Sequence, residues 1–197
     1  MQYRDYGNEG YKVSAFGMGC MRVPHVKDEH GNKIIQREEA IKMIRYAADH
    51  GVTYFDSARM YFNGDCDALL GEALAGGYRE KVKVVSKIPP RFVNSEEEFN
   101  STLDDMLKKL QTDYLDVLLT HDMNREAWDR FQQMGMYQWM EKAKQAGKIK
   151  AIGFSFHDDV ELFREMVDAY PWAMAQIQMN ILDVNYQATV EGMKYAA

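Results

Sequence analysis

An α/β fold with a parallel sheet, and within that class a (β/α)8 TIM barrel, is what the sequence predicts on three observations. Short apolar runs of strand length alternate with longer runs of helical period along the chain. The later strand-like runs are almost continuously apolar, as expected when both faces of a parallel sheet are covered. No Gly-rich phosphate loop follows the first strand, where a doubly wound nucleotide-binding sheet would carry one. Gly17 and Gly19 lead instead into Cys20-Met21-Arg22-Val23-Pro24, and the proline works against a helix starting there.

The elements follow in order. A hairpin-like opening over residues 2–5 and 11–14 is expected to plug the bottom of the barrel. Strands are expected at 12–19 (KVSAFGMG), 52–56 (VTYFD), 81–87 (KVKVVSK), 114–121 (YLDVLLTH), 151–155 (AIGFS) and 175–180 (AQIQMN). Segment 37–50 places Ile41, Ile44, Ala47 and Ala48 on one helical face and stops at Gly51. Ser95 with Glu98 forms a capping box ahead of Phe99, Leu103, Met106, Leu107 and Leu110. The long stretch 125–145 contains Gly135, which allows two helices. A further helix opens at Asp158, carries Leu162, Phe163, Met166 and Val167, and ends before Pro171.

These are six βα units, whereas a closed barrel has eight in about 250 residues. The final TVEGMKYAA reads as a helix in mid-course, with no stop signal. Residues 1–197 are therefore expected to form one incomplete barrel domain, a fragment of a longer chain whose open sheet leaves two unpaired edges.

Composition bounds the partners. Hydrophobic residues make up 46%, enough for a sizeable core, and the 14 methionines fall largely at core spacing. With 30 acidic against 24 basic residues and a formal charge of −6, there is no positive excess to attract nucleic acid. Cys20 and Cys66 are far apart and outside metal-ligand spacing, which fits a reducing compartment. The N-terminus has no signal-peptide stretch, and no apolar run approaches membrane-spanning length. A soluble cytoplasmic protein is expected; nothing in the pattern encodes an oligomeric state.

Parallel barrels carry their reactive groups at the C-terminal ends of the strands. Asp56 ends VTYFD, Lys87 ends KVKVVSK, His121 ends YLDVLLTH, and Tyr61 follows Asp56 in the next loop. Singly, each has an ordinary structural explanation, as a helix cap, a solvent-facing lysine, a core histidine or a packing tyrosine. Converging on one mouth, they make a proton donor with a polarising group for a carbonyl. The lysine ammonium would favour the phenolate and lower the tyrosine's pKa, Asp56 would hold the lysine, and His121 would hydrogen-bond the carbonyl oxygen.

The segments FDSARMY (55–61), VVSK (84–87), LQTDYLDVLLTH (110–121), GKIKAIGFS (147–155) and AQIQMN (175–180) resemble, in order and spacing, the successive signatures of the aldo-keto reductase family. The resemblance runs through essentially the whole chain. It implies a (β/α)8 barrel reducing small aldehydes or ketones with NADPH, or alternatively NADH. It further implies Tyr61 as general acid, Lys87 as its tuning partner, Asp56 as counter-ion, which also lies at the cofactor, and His121 as carbonyl orienter. Ser155 and Gln176 would touch the nicotinamide carboxamide, and the Gly19-Cys20-Met21 turn would lie against the cofactor. The chain departs from the family pattern at Ser57, at Phe62 after the tyrosine, and at Phe156 after Ser155. The opening YRDYGNEGYKVSAFGMGCMR and the stretch GFSFHDD resemble a bacterial branch whose members often carry a ferredoxin-like C-terminal extension. An iron–sulfur cluster would belong only to such an extension.

Two other readings compete. A metal-dependent hydrolase with Asp56, His121 and His157 as ligands is disfavoured, because no two histidines sit at close ligand spacing and Lys87 would place a positive charge beside the metal. A reductase-like barrel serving as a cofactor-binding regulatory or interaction subunit is the alternative, since fold does not fix function. A chain ending at Ala197 is expected to bind cofactor weakly and to associate through its open edge. Tight NADPH binding by a stable monomer, measured by fluorescence titration and sedimentation, would overturn that expectation.

Overall fold

The protein is described by a computed structural model covering residues 1–197. It opens with an antiparallel hairpin, β1 (Tyr3–Asp5) and β2 (Lys12–Ser14), with Tyr3 opposite Ser14. Tyr6 and Tyr11 in its loop stack at 5.4 Å, and Tyr6 packs on Val85, Val117, Leu119 and Ala151 from the early parts of the sheet strands. The hairpin thus seals the inner face at the N-terminal end of the strands, as the sequence led us to expect.

The expected strand 12–19 is broken in two. The Ser14 hydroxyl donates to the Phe16 carbonyl at 2.6 Å, and the ring of Tyr54 closes on Gly17 so tightly that a Cβ there would lie 2.8 Å from it. The chain then re-enters as β3 (Met18–Gly19), parallel to a later strand. An unforeseen hairpin follows, β4 (His25–Lys27) and β5 (Lys33–Ile35). Its turn is held by the Asp28 carboxylate, which accepts from the His30 and Asn32 amides, with Gly31 in the left-handed region.

Helix α1 (Arg37–Asp49) buries Ala40 and Ile44 and is followed by Gly51 at φ 90°. Strand β6 (Tyr54–Asp56) leads into α2 (Asp65–Leu74), which the sequence does not signal: its N-cap is Gly64, with no capping side chain. Packing makes this helix, since seven of its ten residues are buried between α1 and the next helix. After β7 (Lys83–Ile88) comes α3 (Glu96–Leu110), where Ser95 Oγ accepts from the Glu98 amide at 3.1 Å and the five predicted apolar residues are buried. Strand β8 (Leu115–Met123) precedes α4 (Arg125–Met134) and α5 (Met136–Gln145), separated by Gly135 at φ 64°. Strand β9 (Ile149–Phe156), α6 (Val160–Ala169), β10 (Met174–Ile177) and α7 (Thr189–Ala196) complete the chain. The cap of α6 is Asp159, one residue later than expected.

The parallel strands lie in the order β10-β9-β8-β7-β6-β3, so sequence neighbours are spatial neighbours and the sheet curls as six of the eight strands of a barrel. Its two edges are β3 and β10. The main core lies between this sheet and the helices, with Trp128, Phe55, Phe99, Phe154 and Phe163 among its largest fully buried side chains. No helix is long and apolar enough to cross a membrane.

Helices α2 and α3 touch backbone to backbone at Gly71, where a Cβ would lie 2.4 Å from the Lys109 carbonyl oxygen. Gly71→Ala is therefore expected to lower stability by roughly 1–3 kcal/mol despite the better helix propensity of alanine, read as a lower midpoint in denaturant unfolding.

Candidate active site

The end of β6 and the end of β7 meet because these strands are neighbours, with Asp56 in register with Val85. Side chains alternate along a strand, so Val85 and Lys87 share a face, and Lys87 reaches over to Asp56. Its Nζ lies 2.7 and 2.6 Å from the two Asp56 carboxylate oxygens, 2.8 Å from the Ser57 carbonyl and 3.3 Å from the Tyr61 hydroxyl. An ammonium has three protons, and here three groups accept from it. Lys87 is 1% exposed, so these partners replace water.

Tyr61 stands at the start of a 3-10 turn, Tyr61–Gly64, in which Phe62 and Asn63 adopt left-handed φ angles of 48° and 56° and Gly64 one of 88°. This strained turn brings the phenol back over the strand ends. Because Lys87 donates to the Tyr61 oxygen, the phenolic proton is left to point elsewhere. The ring meets His121 edge-on, with centroids 5.8 Å apart.

His121 is not the last residue of its strand, as the sequence implied; β8 runs on to Met123 through an irregularity after Thr120, with Asp122 at φ 60°. That bulge turns the Asp122 amide onto Ser155 Oγ at 2.9 Å and leaves His121 facing the mouth. Asp122 is tied to Arg91 at 2.7 Å. His121 Nδ1 has no partner in the protein.

The electrostatics differ from the expectation at one point. Burial and the Asp56 charge push the Tyr61 phenol above its ordinary value, where the sequence reading had Lys87 lowering it. The main reason is loss of water around the phenol, and the Asp56 carboxylate adds to it. Burial also pushes the Asp56 carboxyl up and the Lys87 ammonium down, while each other's charge opposes both shifts. Burial, then Lys87, depresses His121 to about 3, so its ring is neutral near pH 7.

The remaining residues singled out from the sequence lie around the same mouth. Gly19 is in register with Asp56, and the Cys20 amide donates to the Asp56 carbonyl at 2.8 Å. The Cys20 side chain turns into the core, and with its amide bonded to Asp56 and its carbonyl to Cys66 Sγ the whole residue is buried, unlike the ligand-facing turn the sequence suggested. Met21 is 55% exposed and lines a pocket of about 310 Å³ with Asn32, Lys33, Met60, Tyr61, Phe62 and Asn63. The unforeseen β4–β5 hairpin thus supplies one wall beside the phenol. Ser155 and Gln176 are register partners on β9 and β10, and the Gln176 amide reaches Asp56 while its Oε1 is buried without a partner. Sequence reasoning passed over Asp67, whose Oδ1 accepts from Ser57 Oγ at 2.7 Å and Ser86 Oγ at 3.1 Å. In the sequence it looks like a first-turn acidic residue serving the helix dipole; the adjacency of Ser57 to Asp56 and of Ser86 to Lys87 was the available signal.

The aldo/keto reductase family profile matches residues 16–195. A methylglyoxal reductase of Escherichia coli, YeaE, is 33% identical over 132 residues, covering 67% of this chain and 44% of that protein. The crystal structure of an aldo-keto reductase from Klebsiella pneumoniae in complex with NADPH superposes with a TM-score of 0.65 at 30% identity, over 81% of this chain and 52% of that one. The thermostable aldo-keto reductase Tm1743, solved with the inhibitor epalrestat, gives a TM-score of 0.74 at 28% identity, over 93% and 64%. The chain spans about half the length of the curated relatives it matches. Given a family profile that runs over nearly the whole chain, on a curled parallel sheet of the same architecture, this chain belongs to the aldo/keto reductase family.

Proposed function

We propose that the site reduces the carbonyl of a small aldehyde or ketone to an alcohol with NADPH as reductant. The observation that carries this reading is the hydrogen bonding of Tyr61: its oxygen accepts from Lys87, and its proton is free for a substrate oxygen. The protein's part is to deliver that proton where negative charge develops on the carbonyl oxygen. A buried phenol held above its ordinary value stays fully protonated at neutral pH, and Lys87 stands ready to stabilise the phenolate once the proton has gone. Neutral His121 supplies a second hydrogen bond to the same oxygen, and its neutrality avoids a second positive charge beside Lys87.

The residues present fit a nicotinamide ring. A carboxamide needs one acceptor and one donor, and the mouth offers both. Gln176 Oε1 is a buried acceptor with no partner, and the Ser155 hydroxyl, its oxygen taken by the Asp122 amide, keeps its own proton to donate. When bound, the reduced nicotinamide supplies the electron pair and the hydrogen gained by the carbonyl carbon. Gly19, in register with Asp56, would lie beside it. The NADPH complex of the Klebsiella pneumoniae protein and the substrate named for the Escherichia coli reductase support this choice of cofactor and carbonyl class.

Tyr61→Phe removes the proton and keeps the ring. Single-turnover oxidation of bound NADPH by a reactive aldehyde is expected to slow by roughly 10²–10⁴-fold, with NADPH affinity retained. Equal rates would mean that Tyr61 is not the acid and would favour a binding-only role.

His121 is expected to stay neutral across pH 5–8, so its ring proton signals should not titrate there by NMR. Because its folded value lies below the unfolded value of about 6.5, the unfolded chain binds the extra proton first, and stability falls as pH drops from about 6.5 toward 3. His121→Asn should flatten that part of the melting-temperature profile; an unchanged slope would show the histidine is not the group responsible.

A further inference from the structure

Behind the Asp56–Lys87 pair lies a second carboxylate that the proposed chemistry does not use. Asp67 is in the first turn of α2 and is 0% exposed. Its Oδ1 takes both the Ser57 and the Ser86 hydroxyls, while Oδ2 is buried with no partner. Ser57 is the residue whose carbonyl binds Lys87, and Ser86 directly precedes Lys87 on β7. One carboxylate oxygen therefore joins the loop after β6 to the end of β7 at the two places that define where the ammonium sits. A purely structural link between two strands would be made as well by a neutral amide or by apolar packing, without burying a charge.

We infer that Asp67 is a positioning residue of this site, a second carboxylate that holds Lys87 from behind through the Ser57 and Ser86 hydroxyls. The inference rests on the reductase reading for its catalytic meaning, although the coupling of Asp67 to Lys87 stands on geometry alone. Lys87 is faced by Asp56 and Tyr61 from β6 and its loop, by Cys20 after β3, by His121 from β8 and by Asp67 from α2. Asp67 in turn is faced by Arg59 and Lys109, both paired to Asp105, and by the thiols of Cys20 and Cys66. Burial pushes the Asp67 carboxyl above its ordinary value; opposing that, the two serine hydroxyls donate to the ionised form and the Arg59 and Lys109 charges favour it. A negative charge at Asp67 favours the protonated lysine, so removing it makes Lys87 lose its proton at lower pH.

Asp67→Asn separates charge from shape, because the amide oxygen still accepts from both serines. The readouts are the pH titration of Lys87 in protein labelled with 13C at lysine Cε, assigned by its loss in Lys87→Met, and the pH profile of kcat/KM with NADPH and 4-nitrobenzaldehyde. We expect the Lys87 titration to move down by about one pH unit, and the alkaline limb of kcat/KM to move with it. A lower melting temperature with both curves unmoved would make Asp67 merely structural and overturn the inference. If the wild-type protein shows no turnover at all, the reductase reading fails, and a displaced lysine titration still supports the coupling. Should Asp67→Asn not fold, Ser57→Ala with Ser86→Ala strips the donors that keep the carboxylate charged; it should move the Lys87 titration in the same direction, and an unmoved titration overturns the proposal.

Discussion

A lysine ammonium sealed from water at the end of β7 is the constraint around which this mouth is built. A lone charge in such a place would lose its proton or unfold its surroundings. Lys87 is kept because each of its three protons meets an acceptor group, and all three groups belong to β6 and the loop that follows it. The position of Tyr61 is thus partly set by the lysine's need for a third acceptor. Removing one partner from such an arrangement strands the others, a loss of about 3–5 kcal/mol in comparable buried pairs. The bond that satisfies the ammonium also leaves the phenolic proton unengaged.

The opposite end of the same strands offers a comparison. There Asp116 is buried and pairs with Arg79 at 3.0 Å and Lys83 at 3.1 Å, and also accepts from the Val84 amide at 2.9 Å. The ingredients resemble those of the mouth, yet every group at Asp116 is consumed by its neighbours. At the C-terminal end, by contrast, a phenolic proton, the Nδ1 of His121 and the Oε1 of Gln176 are left over. Several unmatched polar groups gather at the C-terminal end of the sheet, against the single buried Tyr11 hydroxyl at the end held shut by the tyrosine hairpin.

Irregular backbone does the aiming. The left-handed run at Phe62 and Asn63 swings Tyr61 inward, and the left-handed Asp122 turns its amide to Ser155 and frees His121 to face the phenol. The first lies in the loop after β6, and the second interrupts the β8–β9 ladder between Thr120 and Met123, close to its end. The helices behind the sheet set the spacing, with α2 and α3 drawn together at Gly71 so that Asp67 reaches the two serines.

Much of this was legible from residue order alone. The alternation of apolar runs determined a parallel sheet with sequential strand order, the capping box at Ser95 and the break at Gly135 determined where helices begin and end, and the polar residues closing the apolar runs marked Asp56, Lys87 and His121. These are local properties: periodicity, caps and strand ends are written in neighbouring residues. Only the tertiary structure decided the split of the first strand by the Tyr54 ring, the existence of α2, the inward turn of Cys20 and the part played by Asp67. It also reversed the direction expected for the Tyr61 phenol. Each of these depends on burial or on a contact between residues far apart in the chain. A side chain's proton affinity, in particular, is set by everything that replaces water around it, and no window of sequence contains that information.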